Sequence, residues 1–152
     1  MTVTGVSKLP ILTLPATPTG FNRSLTKEDW TLIENVEANI PFRVSAFSLE
    51  LIEFFERREG LAIVGDEMKK RSKALKAHHG QKLAELLLLN QSQIPREWRQ
   101  FYIAFPATIW QRQDDRRLLI PYLGWFEGQW VLYFGGLERG WNDRVRLIRI
   151  IK

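Results

Sequence analysis

The sequence predicts a single α+β domain in which an N-terminal extended arm leads into two to three helices, followed by a C-terminal four-stranded antiparallel meander. That meander is either an open sheet or a small, partly closed barrel. Three observations carry the reading. Between residues 45 and 89 apolar side chains recur at three- and four-residue intervals, and beyond residue 101 they alternate every second residue. The first 24 residues, rich in Thr and Pro, follow neither period. A chain of 152 residues suits one domain, divided into an extended or disordered arm over 1–24 and a domain over 25–152, helical from 25 to 100 and β-rich from 101.

In the arm, a short apolar patch is interrupted by Pro10 and Pro15 and lacks a basic leader, so it makes a poor signal peptide. Ser24 or Thr26 can cap a first, short helix, with Glu28 and Asp29 in its first turn, where negative charge suits the helix dipole; Pro41 lies close beyond. A second helix is expected from Ser45 or Ser48 to Gly60. Phe47, Leu51, Phe54 and Phe55 would form its apolar stripe, with Glu50, Glu53 and Arg57 on the other side. A third helical stretch runs from about Asp66 to Leu89 through Met68, Leu75, His79, Leu83 and Leu86. Gly80 interrupts it, predicting a kink or two shorter helices, and Asn90 is its terminator. Pro95 opens a helical turn that leads through Arg96–Gln100 into the β part.

Phe101, Ile103 and Phe105 alternate with Tyr102 and Ala104, and Asp114-Asp115 makes a turn. Leu118–Phe126 and Gln129–Phe134 then flank Glu127-Gly128, the strongest hairpin signal in the chain. A two-residue loop there sets Trp125 against Trp130, Leu123 against Leu132 and Pro121 against Phe134 on a uniformly apolar face. The other face carries Tyr122 opposite Tyr133, with Ile120, Gly124, Phe126, Gln129 and Val131. Gly135-Gly136 breaks the pattern, and residues 144–151 form a last, β-branched strand.

The chain has no cysteine, which excludes thiolate-ligated zinc, iron–sulfur clusters and thiol nucleophiles. No apolar run approaches the ~20 residues that span a bilayer, so a soluble, cytoplasmic protein without membrane contact is expected. A phosphate-binding P-loop and a dinucleotide fingerprint are both missing from the sequence, and no cofactor is expected. The net charge of +5 is unevenly spread: residues 1–60 carry −2, residues 61–100 carry +4 and residues 101–152 carry +3. A basic surface of this kind favours polyanions through phosphate neutralisation.

Lys69, Lys73 and Lys76 fall on one helical face at i, i+4 and i+7, with Lys70 beside them and no opposing charge at i+4. Arg144 and Arg146 share a face of the last strand, read as an edge strand, while Arg149 points to the other. Tyr122 and Tyr133 are candidate stacking platforms. An ordinary solvated face competes as the explanation of the lysines, and a helix-covered core face as that of the tyrosines. His78-His79 is the sole histidine pair; neighbours on a helix diverge by ~100°, so the two do not converge on one metal, and no metal site is expected.

These features rank three functions. The first is a non-catalytic binding module that engages nucleic acid through Lys69, Lys70, Lys73, Lys76, Arg144 and Arg146, without strong sequence preference. The second is a protein–protein adaptor or assembly subunit, homo-oligomeric or not, that uses the six tryptophans, the aromatic sheet face and the arm. The third, ranked last, is a hydrolase using His78 or His79.

Overall fold

The computed structural model describes residues 9–15, 30–35, 46–55, 60 and 62–151. Among them run ten strands and two α-helices: β1 (Leu12–Pro15), β2 (Thr31–Asn35), β3 (Ala46–Ile52), β4 (Ile63–Val64), α1 (Gly65–Ala74), α2 (Gln81–Leu89), β5 (Tyr102–Ala104), β6 (Thr108–Gln111), β7 (Leu118–Phe126), β8 (Gln129–Gly136), β9 (Gly140–Trp141) and β10 (Val145–Ile151). Eight strands form one mixed sheet in the order β1-β3-β10-β5-β7-β6-β2, with β8 also paired to β7; β4 and β9 pair separately.

The long strand β7 organises the sheet. Its hairpin with β8 has the register expected from the Glu127-Gly128 loop: Trp125 opposite Trp130, Leu123 opposite Leu132 and Tyr122 opposite Tyr133. Both loop residues have positive φ, 48° and 84°, the mark of a type I′ turn whose twist matches its strands. Along its other edge β7 meets β5 and then β6. Ala104 pairs with Tyr122 and Trp110 with Leu119, so five residues on one side oppose two on the other. The three extra residues, at 105–107, let the chain change partners. Before them β5 pairs in parallel with β10; after them β6 pairs antiparallel with β2.

This mainly β architecture overturns the expected order of arm, helices and four-stranded meander. The last strand is not an edge: β10 lies between β3 and β5, parallel to β5, which no meander permits. The expected second helix is instead β3. Its sequence AFSLELI also alternates, and Leu49 and Leu51 turn toward one face while Ser48 and Glu50 turn away. Leu51 joins the core on one side of the sheet and Phe54 the core on the other, so these supposed stripe partners point apart. Residues 31–35, expected in the first helix, form β2, and Ile33 is extruded at a bulge between Leu32 and Glu34 and is 50% exposed. Part of the expected arm is also sheet: β1 pairs with β3 from Leu12↔Leu49 to Pro15↔Ala46 and buries Leu12 and Leu14. The caps at Ser24, Thr26 and Ser45, the acidic turn at 28–29, and Pro41 lie outside the described residues.

The third helical stretch does divide into two helices, but it breaks before Gly80. Lys76 adopts a left-handed φ of 58°, the Ala77 N–H donates to the Ser72 carbonyl, and the Lys76 N–H donates to that of Lys73. This is a Schellman-type stop with lysine at the position glycine usually takes.

The helices cover opposite faces. α2 sets Leu83, Ala84, Leu86 and Leu87 against Leu49, Ile103, Leu123, Trp130 and Ile148, the face expected to be core. α1 sets Met68 against Ala104, Ile120, Trp141, Val145 and Leu147 on the other. Five of the six tryptophans (Trp30, Trp98, Trp110, Trp130 and Trp141) are buried. At ~150–250 Å² each they stabilise the fold and are not free to form an interface. No helix among the described residues is long and apolar enough to cross a membrane.

Candidate functional site

The tyrosine face of the β7–β8 hairpin is where exposed aromatic surface and positive charge meet. Cross-strand pairing brings Tyr122 and Tyr133 into a stack with centroids 5.3 Å apart and planes 25° apart. Tyr102 meets Tyr122 edge-on at 5.8 Å, and Trp141 meets it edge-on at 5.6 Å. Two glycines permit this packing. A Cβ on Gly124 would stand 2.9 Å from the Tyr102 ring and 3.2 Å from Tyr133, and one on Gly135 would stand 2.9 Å from Trp141 and 3.1 Å from Tyr122. The rings therefore close over bare backbone instead of standing apart.

Exposure rises across the cluster. Trp141 is buried, Tyr122 and Tyr133 are half-buried, Tyr102 is 41% exposed, and Phe126 at the hairpin tip is 54% exposed on the same face by strand alternation. Two arginines border it. The Arg139 guanidinium lies 4.9 Å from the Trp141 ring centroid and 5.7 Å from that of Tyr122. The Arg144 carbonyl accepts the Tyr102 N–H at 3.0 Å, so the backbone of this exposed residue adjoins that of Tyr102. Among the described residues neither arginine has an ion-pair partner.

The other sequence-derived candidates fare differently. Lys69 donates to Glu34, with Nζ 2.8 Å from Oε1, and ties α1 to β2. Lys70 and Lys73 are exposed on α1, but Lys76 lies beyond its end, so the i, i+4, i+7 stripe does not form. Arg146 is largely enclosed: Nη1 donates to the Asp143 carbonyl at 2.6 Å, Nη2 to Glu53 at 3.1 Å, and the guanidinium covers Phe101 at 4.2 Å. Burial holds its pKa below the usual arginine value, against the raising effect of Glu53 and Asp143. Arg149 pairs with Glu50, its cross-strand neighbour. Arg146 and Arg149 thus serve the β10–β3 seam rather than an edge.

The histidines are built into the fold. Ser72, fully buried, donates from Oγ to the Lys69 carbonyl at 2.6 Å and lies 2.7 Å from His78 Nδ1. With the serine proton committed to the carbonyl, Nδ1 is the donor of that second bond, and the buried Nε2 has no partner among the described residues. Burial first, then Lys73 and Lys69, hold the His78 pKa below its usual value, opposed by Glu34. His79 is 3% exposed, and burial, followed by His78, lowers its pKa to about 4. A neutral, enclosed imidazole and a serine bonded to its own helix do not make an activated nucleophile.

A polar network joins α2 to the sheet nearby. The Gln81 N–H donates to Thr108 Oγ1 at 2.8 Å, Thr108 donates to Asn35 Oδ1 at 2.7 Å, and Trp110 Nε1 donates to Gln81 Oε1 at 2.8 Å. At the β6–β7 turn, a cleft of about 200 Å³ is lined by Thr31, Gln111, Arg112, Gln113 and Arg116. Arg112 there is taken by Asp115, at 2.6 Å. That hydrogen bond raises the Arg112 pKa and, with the Arg117 N–H, holds Asp115 well below the usual carboxylate range. No group of three or more metal-ligating side chains assembles among the described residues.

Phe126 was expected on this face, whereas Tyr102 and Arg139 were missed in the sequence. The parity of Tyr102 with Tyr122 depends on the β5–β7 register, which no local turn announces. Comparison with protein-family models, with curated proteins and with solved structures found no match to this chain.

Proposed function

We propose that the protein is a non-catalytic module that binds nucleic acid, and that its contact surface is the tyrosine face of β7–β8 with Arg139 and Arg144. The observation that carries this reading is the coincidence of exposed Tyr102 with two arginines that lack ion-pair partners among the described residues. Aromatic rings supply stacking surface, and arginines supply phosphate neutralisation. Lys70 and Lys73 add to the general positive field, whereas Lys69 and Arg146 are held by Glu34 and Glu53.

The test is fluorescence anisotropy of labelled oligonucleotides at about 50 and about 200 mM salt, where affinity should fall steeply. Replacing Arg139 and Arg144 together by alanine should lower the slope of log affinity on log salt by about 1.5, close to one per lost phosphate contact. An unchanged slope removes these arginines from the interface. No binding at low salt rejects the reading and makes the protein–protein adaptor the leading one. In that case Phe126 and Tyr102, exposed together on one face, are the first residues to probe for a protein partner.

A further inference from the structure

We infer that the ligand is a single-stranded nucleic acid, and that Tyr102, seated over Gly124, is the ring on which an unpaired base stacks. The inference rests on the nucleic-acid reading above and narrows it. Duplex recognition needs an element that enters a groove, usually a helix or a two-stranded ribbon. Here α1 lies on the sheet with Met68 in the core, and its expected cationic stripe is broken by the Lys69–Glu34 pair and by the helix end before Lys76. The surface on offer is instead the exposed part of the sheet face on which α1 also packs, where Tyr102 is 41% exposed and Tyr122 and Tyr133 are half-buried. In a duplex the base faces are stacked on one another; only unpaired bases present them to a protein.

The cluster has the order such a platform requires. Tyr122 is held between Tyr133, which stacks on it, and Trp141, which meets it edge-on, so its ring is largely used within the protein. Tyr102 is the outermost of the four rings and remains 41% exposed. The missing Cβ of Gly124 lets it lie over the backbone, and the edge contact with Tyr122 fixes its tilt. The Arg144 backbone adjoins that of Tyr102, and the Arg139 guanidinium lies beside Tyr122 and Trp141. A base on Tyr102 would therefore have the Arg139 cation within the same cluster for a flanking phosphate, a charge complementarity that favours a strand over an uncharged partner.

The experiment compares an oligo(dT) of about 12 nucleotides with a duplex of the same length, using the full chain and two variants. The wild-type protein should bind the single strand at least about tenfold more tightly at equal salt. Tyr102→Ala should weaken single-strand binding by about 5- to 100-fold, while Tyr102→Phe, which keeps the ring and removes the hydroxyl, should restore it. Because Tyr102 is exposed, both variants should retain the wild-type thermal unfolding midpoint. Equal binding of strand and duplex overturns this inference and leaves the nucleic-acid reading standing. Strand preference that survives Tyr102→Ala overturns the assignment of Tyr102. Absence of binding to either form at low salt overturns both.

Discussion

His79 shows how far a single side chain in this fold departs from its behaviour in water. It is 3% exposed, its buried Nδ1 has no partner among the described residues, and its pKa falls to about 4 because burial disfavours the cation. Between pH 6.5 and 4 the unfolded chain therefore binds a proton that the folded chain refuses. Stability rises with pH through that window: the contribution is fully present above pH 6.5 and is lost as pH falls toward 4. The loss should reach about 3 kcal/mol, read from urea midpoints across the window. An imidazole titration near pH 6.5 in the folded protein, followed by NMR, would overturn the assignment. The lowered His78 pKa acts in the same direction. His79 falls in the apolar series of the third helical stretch and is buried as that series implies, but the Ser72 contact of His78 is not visible before the turn at Lys76 brings residue 78 back against α1.

Among the elements, β1 carries the largest departure from the sequence reading. A Thr- and Pro-rich segment with no period is ordinarily a loose arm, and deleting it should then spare the domain. Instead Leu12 and Leu14 are buried beneath α2, and the Pro10 carbonyl accepts a hydrogen bond from Trp98 Nε1 at 2.9 Å. Leu14→Ala should cost about 2–5 kcal/mol of stability, measured by chemical denaturation. An effect below about 0.5 kcal/mol, the usual range for surface positions, would restore the arm reading. Strands β1 and β3 share one cause of illegibility. Each is short, and a few residues fit a helical spacing and a strand alternation equally well. What decides between them is a partner far along the chain: Ser48 meets Thr13 across 35 residues, and Glu50 meets Arg149 across 99. The β7–β8 hairpin was legible for the opposite reason, since its Glu127-Gly128 turn sets the register within its own neighbourhood.

Across the whole molecule, the interruption at 105–107 is the junction on which the parts depend. It sends β5 toward β10 and β6 toward β2, and α2 starts beside it, where the Ala107 N–H donates to the His79 carbonyl. Gly80 provides no side-chain cap for α2; the Gln81 N–H is satisfied by Thr108, which itself donates to Asn35. Thr108→Val keeps the volume and removes both bonds, leaving a buried N–H unpaired. It should destabilise the protein by about 1–3 kcal/mol and accelerate amide exchange at Gln81. Unchanged exchange at Gln81 would show that α2 does not depend on this cap. The aromatic platform lies just before the same junction, where the β5–β7 register, Ile103 opposite Leu123, places Tyr102 next to Gly124.

Legible without any tertiary information were the tyrosine pairing of the β7–β8 hairpin, an interruption of the 66–89 stretch, though the break falls at Lys76 and not at Gly80, and the basic excess beyond residue 60. Each of these is local: a turn type, a helix breaker, a count of charges. Tertiary structure alone decided that residues 12–15, 31–35 and 46–52 are strands, that β10 is internal, and that Lys69 and Arg146 are neutralised by Glu34 and Glu53. It also decided that Tyr102 and Arg139 join Tyr122 in one aromatic cluster. Those outcomes rest on hydrogen-bond ladders and ion pairs between segments distant in sequence, whose energies no local window contains.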